Sequence, residues 1–236
     1  MPDLSYRIDP AVFAAHPNYR RGVIVVREAN NLRSSDALDR LLRAEEAYLR
    51  ERLSGVNVAE QPAIAAWRDA YRRFGAKPSE HRSSIEAMTR RVLKPDSLPV
   101  INPLVAIGNI VSLRFLLPAG VHPLPDTDAA LALRPTTAGD RFLPPDGGPL
   151  ETPGPGEIVF CRGHEVLTRR WTWRQAAGTQ TLPGTSDVFF NVDGLPPIID
   201  ANVRAAMADI AALVGEHTGG RIAASELLSA ERPSFG

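Results

Sequence analysis

Hydrophobic and polar positions in the first part of the chain predict two strands followed by three helices. Leu4 to Ile8 alternates apolar and polar residues, and Gly22 to Val26 is a short β-branched run, so each predicts a strand. The polar stretch around His16 predicts a loop between them. Three periodic segments with capping residues then predict helices. These helices begin at Ser34 or Ser35, at Pro62 and at Ser84, and end near Gly55, Phe74 and Leu93, with Pro95 stopping the third.

The pattern changes in the second half of the chain. Residues 104–117 are apolar on nearly every side, which predicts a buried central helix. Beyond it, many of the 21 prolines and 18 glycines separate short apolar runs that are typical of strands. The predicted strands cover residues 130–133, 157–161, 166–175 and 187–192, and a helix over 201–216 is followed by a loose tail.

This order of elements predicts the fold class. Helices come mostly first and strands come later, without a regular strand–helix–strand alternation, so we expect an α+β fold in which helices pack on β-sheet layers. The chain has no visible repeat or low-complexity linker. We therefore expect one domain over residues 1–220, with residues 221–236 as a C-terminal tail.

Charge and cysteine content narrow the possible partners and compartments. The 27 basic and 27 acidic residues cancel, which argues against a broad nucleic-acid-binding surface and leaves room for a local RNA contact. Cys161 is the single cysteine and lies in an apolar run, so a buried hydrophobe is favoured over a catalytic thiol. Neither a signal peptide nor an apolar run of about 20 residues is visible, so we expect a cytoplasmic protein without a membrane partner.

Common catalytic signatures are missing from the sequence. It has no phosphate-binding loop, dinucleotide fingerprint, paired cysteines or nucleophile elbow. The five histidines share no metal-ligand spacing, so we expect neither a metal nor another cofactor. These histidines are His16, His81, His122, His164 and His217.

Polar residues within the apolar helix are the first candidates for function. Asn109 and Ser112 are three positions apart and so share one helix face. A buried amide or hydroxyl needs a hydrogen-bond partner, because leaving it unsatisfied costs about 1–3 kcal/mol. The partner is either a neighbouring backbone group, which is the structural interpretation, or a ligand in a pocket.

A second candidate is the block from Arg169 to Gln175. On a strand, Arg170, Thr172 and Arg174 would point one way, and the other face would carry Trp171 and Trp173. Such a segment offers cations to phosphate and aromatic surface to a base. Two core tryptophans behind a solvated basic face are the alternative.

Two weaker candidates complete the set. His122 lies in a glycine- and proline-containing stretch that predicts a shaped loop, where functional groups are often carried. A basic cluster also surrounds the second and third helices, and it is either a solvated helical surface or a local contact for tRNA. Its members are Arg73, Lys77, Arg82, Arg90, Arg91 and Lys94.

Several blocks of the sequence follow one another in an order that is typical of one protein family. They run from Trp67 to Val92, from Leu98 to Pro118, from Trp171 to Gln175 and from Thr185 to Val188. Together they resemble the free-standing B3/B4-domain proteins, which are similar to the tRNA-editing domain of the phenylalanyl-tRNA synthetase beta subunit. The resemblance covers nearly the whole chain.

The resemblance implies a fold, a reaction and site residues. It implies hydrolysis of the ester in a wrongly charged aminoacyl-tRNA by a positioned water, without a metal or a covalent intermediate. Asn109 corresponds to the family's asparagine, and His122 corresponds to its histidine after an insertion of two residues. Asn191 stands where the family carries its editing glutamate, and an amide cannot act as a general base. We therefore expect Asn109, Ser112, His122 and Asn191 to hold the water, and the substrate's ribose hydroxyl or amino group to activate it.

The same resemblance indicates the partner, the acceptor end of aminoacyl-tRNA, and no DNA. Residues expected to bind the substrate are Arg82, Ser84, Trp173, Arg174 and Thr185. We expect a trans-editing deacylase that does not itself charge tRNA, because no aminoacylation core is present. The alternative is a non-catalytic module that binds tRNA or an amino acid, which the missing glutamate and the zero net charge favour.

Overall fold

A computed structural model describes residues 4–94, 96–125 and 129–236. Within these ranges the chain forms six α-helices and two β-sheets, which confirms the α+β fold class. The helices are α1 (Pro10–Ala15), α2 (Asp36–Arg52), α3 (Pro62–Arg73), α4 (Ser84–Val92), α5 (Pro103–Phe115) and α6 (Asp200–Thr218), with a short 3₁₀ turn at Val58–Glu60. The strands are β1 (Leu4–Ile8), β2 (Arg20–Arg27), β3 (Ala119–Pro123), β4 (Ala129–Pro135), β5 (Ile158–Arg162), β6 (Glu165–Arg169), β7 (Arg174–Gln175), β8 (Val188–Gly194), β9 (Arg221–Leu228) and β10 (Ser234–Phe235).

The ends of the helices follow from their capping residues. Ser35 caps α2 by accepting a hydrogen bond from the backbone N–H of Leu38, and Ser83 caps α4, which begins at Ser84 as predicted. Prolines occupy the first turns of α3 and α5, where their missing N–H costs nothing. Pro95, predicted to stop α4, lies outside the described residues.

Two sheets pack face to face, and helices cover one of them. The six-stranded sheet has the order β10-β1-β4-β5-β6-β7, and the four-stranded sheet has the order β3-β8-β2-β9. Aromatic rings from both sheets meet between them, since Tyr6 and Phe160 of the first contact Phe189 of the second. Helix α6 packs on β2, β8 and β9, and α5 packs between α2 and α6 and against β3. The apolar helix predicted from the sequence is therefore central, as expected.

One predicted loop and the predicted tail instead form regular structure. The chain around His16 is a loop, as predicted, although α1 precedes it, and the predicted loop around His122 is strand β3. This strand is at the edge of its sheet, where Pro123 can be accommodated because its missing N–H faces no neighbouring strand. The predicted tail contains β9, which pairs with β2, and β10, which pairs with β1. The tail is thus held by backbone hydrogen bonds to the N-terminal strands.

The predicted strand over residues 166–175 is interrupted by a turn. Arg170 and Trp171 have left-handed backbones, with φ of 47° and 64°, so they do not alternate with Trp173 across a sheet. The carboxylate of Glu157 holds this turn by accepting hydrogen bonds from the Arg169 side chain and from the Arg170 backbone N–H. The ion pair and backbone contact, which join residues distant in sequence, override the local strand pattern.

Two further observations concern the predictions for Cys161 and for membrane-spanning segments. Cys161 is fully buried in β5, as predicted, and burial raises the pKa of its thiol to about 11. In the part of the chain that the structure describes, no helix combines the length and the apolar character that crossing a bilayer requires.

Candidate functional site

A cavity of about 190 Å³ opens at the edge of the interface between the two sheets. It gathers five of the nine predicted site residues: Ser84, His122, Trp173, Arg174 and Asn191. Phe160, Trp171, Pro118 and Gly120 add apolar surface, while Arg21 and Asp193 lie at its buried end. Other hollows are larger, including one of about 240 Å³ beside His16, but they do not bring the predicted residues together.

The other four predicted residues lie outside the lining of this cavity. Ser112 is buried, and its Oγ accepts a hydrogen bond from the backbone N–H of Ala119 at 3.0 Å, where the chain enters β3. Asn109 is on α5 and only partly buried. Thr185 lies in the loop before β8, and Arg82 is exposed beside α4. The predicted catalytic set is therefore divided between the cavity and α5.

A buried ion pair forms the inner wall of the cavity. The guanidinium of Arg21 binds both carboxylate oxygens of Asp193, at 2.6 and 3.0 Å, and both side chains are almost fully buried. The hydroxyl of Tyr19 also donates to Asp193, and the indole N–H of Trp171 donates to Tyr19 at 3.1 Å. Burial opposes the charge on Arg21, but Asp193 and the tyrosine hydroxyls outweigh this effect, so the pKa of Arg21 lies well above its ordinary value.

This ion pair fixes the orientation of the Asn191 amide. Arg21 Nη1 donates to the hydroxyl oxygen of Tyr6 at 2.6 Å, because a guanidinium has no acceptor. The one hydroxyl hydrogen of Tyr6 is then donated to Asn191 Oδ1 at 2.8 Å. The Asn191 atom that faces Tyr6 is therefore oxygen, and its NH₂ group is left for the cavity. Residue 191 presents a hydrogen-bond donor, where a glutamate would present an acceptor.

His122 presents a second neutral donor. The amide nitrogen of Gln175 donates to the carbonyls of Val121 and Thr179, so it is also a nitrogen that faces His122 Nδ1 at 3.0 Å. Because an amide nitrogen cannot accept a hydrogen bond, Nδ1 carries no hydrogen, and the ring hydrogen of His122 is on Nε2, near Gly120 at the cavity. Burial, and then the nearby charge of Arg21, lower the pKa of His122 to about 3. The ring is neutral at physiological pH and cannot serve there as a cation.

The outer part of the cavity combines an aromatic ring with cations. The guanidinium of Arg170 lies 4.3 Å from the centre of the Trp173 ring, and those of Arg169 and Arg174 lie within 6 Å. His81 contacts the same ring edge-on at 4.8 Å. The backbone N–H of Ser84, at the start of α4, is bonded to the carbonyl of Thr172. Trp173, Arg174 and Ser84 thus lie together at this cavity, and their role in binding stays a prediction.

The alternation of residues along β2 and β8 could also have suggested the pair of Arg21 and Asp193, which the sequence analysis did not predict. On a strand, alternate residues share a face, so Phe189, Asn191 and Asp193 belong together, as do Arg21 and Val23. A charged residue on the inward face of an apolar strand needs a partner of opposite charge. The pairing of Arg21 with Asp193 could have been suspected on this ground, whereas Tyr6 and Gln175 carry no such signal.

The chemistry available in the cavity is hydrogen-bond donation to an oxygen. Asn191 and His122 are neutral donors on adjacent strands of one sheet, since Gly120 is the registered partner of Asn191 and His122 follows two residues later. The carboxylate of Asp193 accepts two hydrogen bonds from Arg21 and one from Tyr19, so it is not free to act as a base. In the described ranges, no three His, Cys, Asp or Glu side chains converge as metal ligands.

Comparison with known proteins identifies a family for this chain. The family model described as the B3/4 domain matches residues 66–218. An N-terminal fragment of the phenylalanyl-tRNA synthetase beta-subunit from Pyrococcus horikoshii is structurally similar, with a TM-score of 0.47 and 11% sequence identity over 93% of this chain. The chain spans 50% of that fragment's length. No curated protein matches the sequence.

Proposed function

Because the chain belongs to the B3/4 domain family, we propose that it is a trans-editing hydrolase that removes a wrongly attached amino acid from tRNA. The observation that carries the proposal is the pair of fixed neutral donors, Asn191 and His122, on the wall of one small cavity. Two such donors suit the carbonyl oxygen of an ester, which becomes negative during hydrolysis.

The size of the cavity supports an aminoacyl group as its occupant. Pockets for drug-sized ligands are roughly 300–1,000 Å³, and this cavity is about 190 Å³. It therefore suits an amino acid, while the terminal nucleotide remains outside. There Trp173 offers a ring for stacking, and Arg174, which is partly exposed and paired with Asp146 at 3.0 Å, offers a cation for phosphate.

In the proposed reaction, a water oxygen attacks the carbonyl carbon of the ester. Asn191 and His122 donate to the carbonyl oxygen as negative charge develops, and one such donor is worth roughly 10²–10³ in rate. The bond from the carbonyl carbon to the ribose oxygen then breaks, and that oxygen takes up the proton of the water. The substrate's neighbouring ribose hydroxyl or amino group relays this proton, because Asn191 is an amide and His122, with a pKa of about 3, is too weak a base.

A non-catalytic binding module is the second candidate. It is favoured by the lack of a free base, since Asp193 is committed to Arg21 and no free carboxylate lines the cavity among the described residues. Such a module would bind an aminoacyl group or a free amino acid through its carbonyl oxygens. Saturable binding of an amino acid without turnover of any ester would identify it.

The test is deacylation of a panel of matched and mismatched aminoacyl-tRNAs by the full chain. Gly120→Val is the informative variant, because a Cβ at Gly120 meets only His122 Nε2, at 4.0 Å, so a side chain can enter the cavity without a clash. Gly154→Val is the matched control, since Gly154 is exposed with nothing within 4 Å. We expect selective hydrolysis of one mismatched species that Gly120→Val abolishes and Gly154→Val retains. Absence of hydrolysis across the panel would replace the hydrolase by the binding module.

A further inference from the structure

A basic groove lies along the exposed side of α4. Its volume is about 540 Å³, and four cations line it, those of Arg82, Arg90, Arg91 and Lys94, against one carboxylate, that of Asp96. The chain as a whole has no net charge. An excess of positive charge on one concave surface is therefore a local feature and suits a polyanion.

The cations of the groove differ in whether they are already paired. Arg90 Nε donates to the buried carboxylate of Glu86 at 2.9 Å, so part of its charge is balanced within the protein. Within residues 4–94, 96–125 and 129–236, the side chains of Arg82, Arg91 and Lys94 have neither a hydrogen bond nor an ion pair. All three are exposed. They can be offered to a ligand without breaking an internal contact.

The groove and the cavity both extend to the N-terminal end of α4. Arg82 lines the groove, and Ser84, two residues later, lines the cavity. On the other side of Arg82, the ring of His81 contacts Trp173 at the cavity. A ligand that left the cavity past Ser84 and Trp173 would therefore reach Arg82 first.

We propose that this groove binds the phosphate backbone of tRNA next to its acceptor end, while the aminoacyl group occupies the cavity. The inference rests on the proposed function and adds the surface that holds the RNA. Helix α4 has nine residues and is about 13 Å long at 1.5 Å per residue. Arg82 lies at one end, and Arg91 and Lys94 lie at the other, so the cations follow a path along which several phosphates of one strand fit.

RNA suits this surface better than an acidic protein segment does. Both are linear polyanions, but only an aminoacylated RNA has a group that fits the adjoining cavity. An acidic peptide would use the groove alone. Competition by poly-glutamate distinguishes the two partners. Poly-glutamate would displace tRNA only if the groove bound any polyanion and did not prefer RNA.

The experiment measures binding of uncharged tRNA to the full chain by fluorescence anisotropy between 50 and 200 mM salt. The variant is Arg91→Gln/Lys94→Gln, which removes two exposed charges. Each lost phosphate contact flattens the slope of log affinity against log salt by about 0.7–0.9, so we expect a change of about 1.4–1.8. The control is Arg204→Gln/Arg221→Gln, two exposed cations on α6 and β9 that do not line the groove. It should leave the slope unchanged.

The outcomes separate this inference from the proposed function. Groove-dependent binding of tRNA without hydrolysis of any ester would support the groove and refute the hydrolase. Hydrolysis of aminoacyl-tRNA with an unchanged salt slope in the Arg91→Gln/Lys94→Gln variant would refute the groove alone. Equal flattening by both double variants, or displacement by poly-glutamate at the concentration at which RNA competes, would also overturn it. An aminoacyl-adenosine ester, too short to reach the groove, should be hydrolysed equally by the variant and the wild-type protein.

Discussion

Helix α5 and strand β8 both carry buried or partly buried polar side chains in apolar surroundings. The two elements differ in whether these side chains still have hydrogen-bonding groups free for a ligand. On α5, the hydroxyl of Ser112 accepts a hydrogen bond from the backbone N–H of Ala119, so it serves the packing of the fold. On β8, Asn191 gives its oxygen to Tyr6 and keeps its amide hydrogens for the cavity. The comparison shows that a buried polar residue is available for chemistry only after the protein's own hydrogen bonds have been counted.

The difference extends to how closely each element is packed. A Cβ added to Gly108 of α5 would lie 3.0 Å from the carbonyl oxygen of Ala119, so the helix backbone sits directly on the start of β3. At Gly120, by contrast, an added Cβ has open space beside the cavity. Helix α5 is a close-packed support, and β3 with β8 forms the wall that a ligand can reach.

The largest expected effect comes from breaking the ion pair behind Asn191. Asp193→Asn leaves the charge of Arg21 buried and uncompensated, which should lower the free energy of unfolding by about 3–5 kcal/mol. Urea denaturation at neutral pH measures it. Asp187→Asn is the matched control, because Asp187 is 40% exposed in its pair with Arg27 and its loss should cost at most about 1 kcal/mol. Equal losses in the two variants would contradict the role of the ion pair as a buried support.

The second prediction compares Asn191 and Asn109 directly. If hydrolysis occurs, Asn191→Ala should lower kcat by about 100-fold, because it removes one donor to the developing oxyanion. Asn109→Ala should leave kcat unchanged, since Asn109 does not line the cavity. Single-turnover deacylation measures both. The opposite order of effects would return the catalytic role to α5, as the family resemblance by itself implies.

The third prediction concerns pH and the buried His122. Its pKa is about 3 in the folded chain and near 6.5 when unfolded, so only the unfolded state binds the proton between these values. Stability is therefore complete above pH 6.5 and falls as pH decreases, by up to about 2 kcal/mol between pH 6.5 and pH 5. Urea denaturation across this range measures the slope. His122→Gln, which cannot titrate, should remove this part of it, and an unchanged slope would show that His122 is not the group responsible.

The smallest expected effect is that of Ser112→Ala. The partly buried N–H of Ala119 loses its acceptor, so the free energy of unfolding should fall by about 1 kcal/mol. Hydrolysis should continue at the wild-type kcat. Ser186→Ala, at an exposed serine, serves as the control for stability. A large loss of kcat in Ser112→Ala, with normal stability, would show that α5 takes part in the chemistry.

Patterns within a short stretch of sequence correctly predicted the elements that are determined by interactions within that stretch. The cap at Ser35, the first strand from Leu4 to Ile8 and the apolar helix α5 agree with expectation, because capping and periodicity act within a few residues. The turn at Arg170 and Trp171 was not predictable in this way. It depends on Glu157, which lies 13 residues earlier, and on the packing of Trp171 against Trp67 and Tyr19.

The sequence by itself determined the α+β class, most helices and strands and the family resemblance, and it predicted Ser84, Trp173 and Arg174 as a group, which the structure places at one cavity. Only the tertiary structure decided which polar residues face the cavity, and which way the Asn191 amide points. The reason is that hydrogen-bond capacity is shared across elements: Arg21 from β2, Tyr6 from β1 and Asp193 from β8 together set the state of Asn191. A sequence pattern indicates which face a residue occupies, but the partners that use its donors and acceptors come from the fold.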